Sequence, residues 1–100
     1  MKFGTKILYM QHNNTQKAKI VLELLANEIR LEREKQNKSQ RILADEFDIQ
    51  KSLISRLENV KNEPKIISLF TICNALNINL SELFKRVEKK LPSYFSLIDK

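Results

Sequence analysis

Only one glycine and two prolines occur among 100 residues, and this scarcity of chain punctuation limits what the chain can fold into. Small sheets need a turn every few residues, and turns draw on Gly and Pro. Here the breakers are Gly4, Pro64 and Pro92, so long stretches must be helical or disordered. With 42% hydrophobic residues the chain has the apolar content of a folded domain, which favours helices, and the fold class expected is all-α. The length suits one folding unit with tails, since it is too short for two independent cores.

Apolar periodicity places the helices. Leu22, Leu25, Ile29 and Arg33 recur at 3.6-residue spacing and predict a long first helix from about Thr15 to Gln36, ended by Asn37. Ahead of it, Lys6 to Met10 reads as a short strand and Gln11 to Gln16 as a loop, so residues 1–17 are expected to form an N-terminal arm or short strand. Ser39 is an N-cap type, and Leu43, Ala44 and Phe47 give one apolar face to a short second helix closed by Asp48. A third helix is expected from about Gln50 to Asn59. A fourth, from Ile66 to Leu76, carries Ile66, Leu69, Phe70, Ile72, Cys73 and Leu76 and ends at Asn77. Asn79 and Glu82 have capping-box spacing and open a fifth, from Leu80 to about Lys90. Pro92 stops it, leaving an apolar tail over residues 92–100 with Tyr94, Phe95, Leu97 and Ile98.

On a wheel of 100° per residue the third helix separates into two faces. Leu53, Ile54 and Leu57 fall on one side; Lys51, Ser52, Ser55, Arg56 and Asn59 fall on the other. Arg and Lys suit guanine edges and phosphates, Ser either, and Asn adenine or backbone oxygens. The formal charge of +6 biases the protein toward polyanions. A short helix before the third, the tight turn at Asp48 and the small Ala44 on the packing face give the pair the geometry of a helix-turn-helix.

The region from Ser39 to Leu83 resembles the phage repressor and Cro type of helix-turn-helix, the Xre family. The matching residues are Ser39-Gln40, Leu43-Ala44, Phe47 with Ile49, and Ile54-Ser55-Arg56-Leu57-Glu58. Further along, Pro64, Leu69, Ile72, Ala75-Leu76, Ile78, Leu80 and Leu83-Phe84 fit the fourth and fifth helices. The resemblance implies a five-helix repressor-like DNA-binding domain over residues 18–91, regulating transcription from a double-stranded DNA operator. It implies that Gln40 holds a phosphate, that Lys51, Ser52 and Arg56 lie at base edges with Ser55 close by, and that Asn59 lies near the backbone. Gln50 and Lys61 complete the DNA-binding set, and Arg33 and Glu58 match a salt bridge joining the first and third helices. Asn37, Asp48 and Asn77 stand where the family often has Gly, and each tolerates positive φ. Gln50, where Ser or Thr usually caps, and Val60, where Gly commonly follows, are the sharper departures.

Reading a twofold operator requires a twofold dimer, so a homodimer is expected, with Phe84, Val87, Leu91 and the tail as interface candidates. The same residues could instead complete the monomer core. Ile20, Leu24 and Leu31 form a second apolar line on the first helix, which needs a cover of its own. Lys85-Arg86 and Lys89-Lys90 are expected mainly to solvate the fifth helix. Cys73, the only cysteine, excludes an intrachain disulfide, fits a reducing cytoplasmic setting and is expected to fill core. Ile7 to Met10 is too short for a signal segment or membrane span. His12 has no second ligand nearby, so no metal or cofactor is expected. An enzyme fits poorly, because no Gly-rich phosphate loop and no nucleophile with a base occur. The competing class is an antitoxin-type protein, which would inhibit a toxin through the C-terminal tail and use DNA binding only to autoregulate.

Overall fold

A computed structural model of the chain describes residues 2–59 and 62–98, with side chains from residue 16 on. Its elements in order are α1 (Lys2–Lys35), α2 (Gln40–Phe47), α3 (Lys51–Glu58), α4 (Ile66–Leu76) and α5 (Leu80–Lys90). The described residues are thus all-helical, with five helices, as the sparse punctuation implies.

Three helix ends turn on residues that accept the left-handed region without glycine. Asn37, Asp48 and Asn77 have φ of 59°, 55° and 58°. After Asp48, the Ile49 amide donates to Ala44 O at 2.9 Å; after Asn77, the Ile78 amide donates to Cys73 O at 3.0 Å. At the other end of α2, Ser39 Oγ accepts from the Ile42 amide at 3.1 Å, satisfying one of the free N–H groups of the first turn.

Local expectations are corrected at two places. Neither the strand over Lys6 to Met10 nor the loop over Gln11 to Gln16 forms, and the first helix does not wait for Thr15, because α1 runs unbroken from Lys2. A lone strand in a helical chain has no ladder partner, and Lys, Leu and Met are good helix formers. The Asn79 side chain makes no capping bond. Glu82, its intended partner, accepts from Arg86 Nε at 2.9 Å instead, and a charge-assisted i,i+4 pair outweighs the neutral contact.

The core draws on every helix: Ile29, Leu43, Ile54, Ile72, Leu76 and Leu83 are fully buried. α1 lies across α5, α3 and α4, and α2 packs on α3. Cys73 is buried as filling, and that burial pushes its thiol pKa up. Not every apolar residue of the helical pattern enters this core. Leu24 packs against it, whereas Ile20 and Leu31 of the same line stay exposed, as do Phe47, Ile66 and Phe70. The Lys38 ammonium covers the Phe47 ring at 5.5 Å from its centroid.

Beside the apolar core that α1 and α5 share, ion pairs join the two helices. Glu32, itself buried, accepts from Arg86 Nη1 at 2.6 Å, and Glu28 pairs with Lys90. Gln36, one turn further, bridges Glu32 at 2.9 Å and the Leu76 carbonyl at 2.8 Å. Arg86 and Lys90 are therefore committed to α1, while Lys85 and Lys89 remain exposed. The hydrogen bond from Arg86, followed by that from Gln36, holds the Glu32 carboxyl below its ordinary pKa. A carboxyl lowered in the folded state stabilises the fold above the unfolded pKa, near 4, and that contribution is lost as pH falls through the lowered value. Arg86→Gln is therefore expected to lower stability at pH 6 to 8, where that contribution is fully present, and to raise the midpoint of acid unfolding followed by circular dichroism; the difference from wild type should shrink as pH falls below the lowered Glu32 pKa.

No single helix among the described residues is long and apolar enough to cross a membrane. The apolar residues of α4 and α5 belong largely to the core described above.

Candidate nucleic-acid interface

α3 is only eight residues long, too short to hold its shape in water alone. Its lower face fixes it: Ile54 and Leu57 are buried and Leu53 is half-buried against the core. Ala44, 4% exposed, keeps the α2 surface low enough for the two helices to approach closely. Gln50, Lys51, Ser52, Arg56 and Asn59 are exposed and Ser55 half-buried, so one polar strip runs the length of the helix. Gln50 makes no capping bond. The Leu53 amide donates to Gln50 O at 3.0 Å, and the amides ahead of it have no side-chain cap from Gln50, at the positive end of the helix beside Lys51 and Ser52.

An acid on this helix would weaken any approach to phosphate, and Glu58 is the acid present. It is turned away. Arg33 of α1 grips it with Nε to Oε2 at 2.7 Å and Nη2 to Oε1 at 2.9 Å, in the two-pronged geometry that favours arginine over lysine. The Glu58 side chain is 3% exposed, and the same bond pushes the Arg33 pKa up. Arg33 Nη1 also donates to Lys38 O at 2.7 Å, so one guanidinium ties α1, α3 and the α1–α2 turn together.

Gln40 takes part in this cluster. Its Nε2 donates to Glu58 Oε1 at 3.0 Å, an inward engagement that the family resemblance, which assigns Gln40 a phosphate, does not contain. A primary amide carries two donor hydrogens, so one remains beyond the bond to Glu58.

The C-terminal end of α3 is built without glycine. Asn59 is extended, at φ −115° and ψ 126°, and its Nδ2 donates to Ser55 O at 2.7 Å and Ser55 Oγ at 3.3 Å. The Ser55 carbonyl also accepts the Asn59 backbone amide at 3.0 Å, so the side chain adds a second donor to the last turn and pins Asn59 against it. Val60 and Lys61 follow directly and lie outside the described residues, so the site assigned to Lys61 has no described geometry. Beyond them an open cleft of about 470 Å³ separates the end of α3 from the start of α4, with Arg56, Asn59, Lys65 and Ser68 in its wall. Leu22 and Ala26 of α1 line a small adjoining pocket together with Arg56 and Asn59.

The exposed strip thus contains Lys51, Ser52, Arg56 and Asn59, with Gln50 at its head. Missing from the reading of the sequence were the ion pairs between α1 and α5 and the inward turn of Gln40. The ion pairs had a signal: Glu28, Glu32 and Gln36 on α1, and Glu82, Arg86 and Lys90 on α5, each repeat every four residues and line one face.

A short helix, a left-handed turn and a second helix with a buried foot and a polar outer face, seated on three further helices, define a helix-turn-helix protein. The chain belongs to the Xre-type helix-turn-helix family of DNA-binding transcription regulators, whose sequence profile matches residues 29–83. It is similar to the control protein C.MunI of a Mycoplasma species, with 36% identity over 61 residues that cover 61% of this chain and 82% of the relative.

Proposed function

We propose that the chain is a sequence-specific transcriptional control protein that binds a twofold DNA operator as a homodimer, with α3 in the major groove. The observation that carries this reading is the outer face of α3: Lys51, Ser52 and Arg56 stand exposed on a helix whose one acid is held inward by Arg33. Arg56 is the base-reading anchor, able to make a bidentate pair with a guanine edge. Gln50, Lys51 and Ser52 surround the amino end of α3, where amides and lysine attract phosphate and base acceptors. Gln40 reaches a backbone phosphate through its second amide hydrogen, Asn59 and Lys61 line the opposite strand, and Ser55 supports Arg56. Similarity to a control protein supports regulation as the role.

Twofold recognition places two copies of α3 about 34 Å apart, one turn of DNA. Val87 is buried and Leu91 packs against the core, so neither is free for the dimer. The interface would draw instead on apolar side chains that the protomer leaves exposed: Ile66, Ile67 and Phe70 on α4, Phe84 on α5, and the tail residues Tyr94, Leu97 and Ile98. Exposed apolar groups in such number favour association.

The test is binding to the DNA immediately upstream of the chain's own gene, by fluorescence anisotropy across a salt series. Wild type is expected to prefer that fragment to unrelated duplex, with affinity falling steeply as salt rises. Arg56→Ala should lose about 1–3 kcal/mol of that discrimination while melting as wild type does. Equal weak binding to every duplex, unchanged by Arg56→Ala, would overturn the reading and direct attention to a protein partner on the tail.

A further inference from the structure

We infer that the N-terminal half of α1 is a second DNA-contacting element, laid against the phosphate backbone flanking the bases that α3 faces. The inference rests on the DNA-binding reading above and deepens it. Charge distribution carries it. Four of the 18 basic residues, Lys2, Lys6, Lys17 and Lys19, fall within the first 22 positions, and none of the 12 acidic residues does. That stretch therefore holds +4 of the formal +6, and the remaining 78 residues share only +2. Downstream, α1 changes character: Glu23, Glu28, Glu32 and Glu34 alternate with Arg30, Arg33 and Lys35, and several of these pair with neighbouring helices.

Position supplies the second argument. Leu22 and Ala26 line a small pocket together with Arg56 and Asn59, so α1 leaves the core beside the carboxyl end of α3. The helix then continues unbroken to Lys2, roughly 30 Å at 1.5 Å per residue, which is close to one turn of DNA. Between the two lysine pairs lie Gln11, His12, Asn13, Asn14, Thr15 and Gln16, the amide, imidazole and hydroxyl types that donate to phosphate oxygens. Nothing comparable occurs elsewhere: a run of 22 residues without an acid is found only here in this chain. The amino end of a helix is itself positive, so its dipole adds to the lysine charge.

The experiment compares full-length wild type with the variant K2Q/K6Q/K17Q/K19Q on the upstream fragment across a salt series. Gln matches Lys in helix propensity, and circular dichroism checks that helix content and melting are retained. Each phosphate contact contributes about 0.9 to the slope of log K against log salt. The variant is expected to lose roughly 2 or more units of slope and at least about tenfold in affinity at low salt, and its hydroxyl-radical footprint should shorten at the outer edges. A charge control, K85Q/K89Q on α5, should change the slope by less than half as much. The milder K2Q/K6Q should show an intermediate loss if the fourfold variant proves unstable. A slope equal to that of wild type, or to that of the charge control, overturns the inference. So does loss of binding to anionic phospholipid vesicles with the DNA slope intact, which would assign the lysines to a membrane surface. Failure of wild type to distinguish its own fragment from unrelated duplex is a separate result and removes the underlying reading.

Discussion

Arg33→Ala is expected to destabilise the protein by about 3–5 kcal/mol, a large share of the 5–15 kcal/mol typical of a whole domain. The size of the effect comes from what the substitution leaves behind. Glu58 would keep its buried position, with its side chain 3% exposed, but lose both guanidinium bonds. Only the neutral amide of Gln40 would remain to it. An unpaired buried carboxylate must protonate, move to water or unfold the helix that carries it. The Lys38 carbonyl would lose its donor as well, loosening the turn into α2. Removing both charges is a different matter. In Arg33→Met/Glu58→Leu the apolar pair fills similar space with no charge to desolvate, and the double variant is expected to recover most of the loss. Urea unfolding at neutral pH, read as the midpoint at constant slope, measures both. An Arg33→Ala midpoint within about 0.5 kcal/mol of wild type, the range of an ordinary surface substitution, would mean that the pair is not what holds α3 to α1. The double variant should keep its stability and still bind DNA, because the outer face of α3 is untouched.

Most helix ends downstream of the long first helix were legible because their chemistry is local. Asn37, Asp48 and Asn77 are residues for which a positive φ costs little, and each has one. The two faces of α3 were equally legible, since a helix with an apolar foot and a polar outer strip has only one way to lie on a core. What the sequence hides is which of two permitted partners a group selects. Glu82 had Asn79 on one side and Arg86 on the other, and the charged partner won. Gln40 could face outward to a phosphate or inward to Glu58; in the protein alone it faces inward. Arg86 and Lys90 read as solvated until α1 is laid across α5 and brings Glu32 and Glu28 opposite them. Periodicity also assigns Ile66 and Phe70 to the core, whereas helix packing leaves both exposed. An apolar stripe records that a face is covered by something without recording whether the cover is the same chain.

The same reasoning separates the two ways in which α3 can be damaged, and Ile54→Ala is the sharper test. Ile54 is 0% exposed and lies on the opposite face of the helix from Arg56, so truncating it alters no group on the outer strip. The cavity left behind is expected to cost about 2–5 kcal/mol. For a domain of this size that lowers the melting temperature by roughly 10 °C or more. Ile54→Val, which removes one methylene, should cost about 0.5–1.5 kcal/mol. Below its reduced melting temperature the Ile54→Ala protein should still discriminate the upstream fragment from unrelated duplex. Its apparent affinity should fall only in proportion to the folded fraction, since the unfolded chain does not present the site. Arg56→Ala should do the opposite, melting as wild type does and losing discrimination at every temperature. Thermal melts and anisotropy titrations on the two variants distinguish a helix that is held from a helix that reads. If Ile54→Ala melted within a degree or two of wild type, the burial of this foot would be wrong, and with it the reason Lys51, Ser52 and Arg56 share one exposed face.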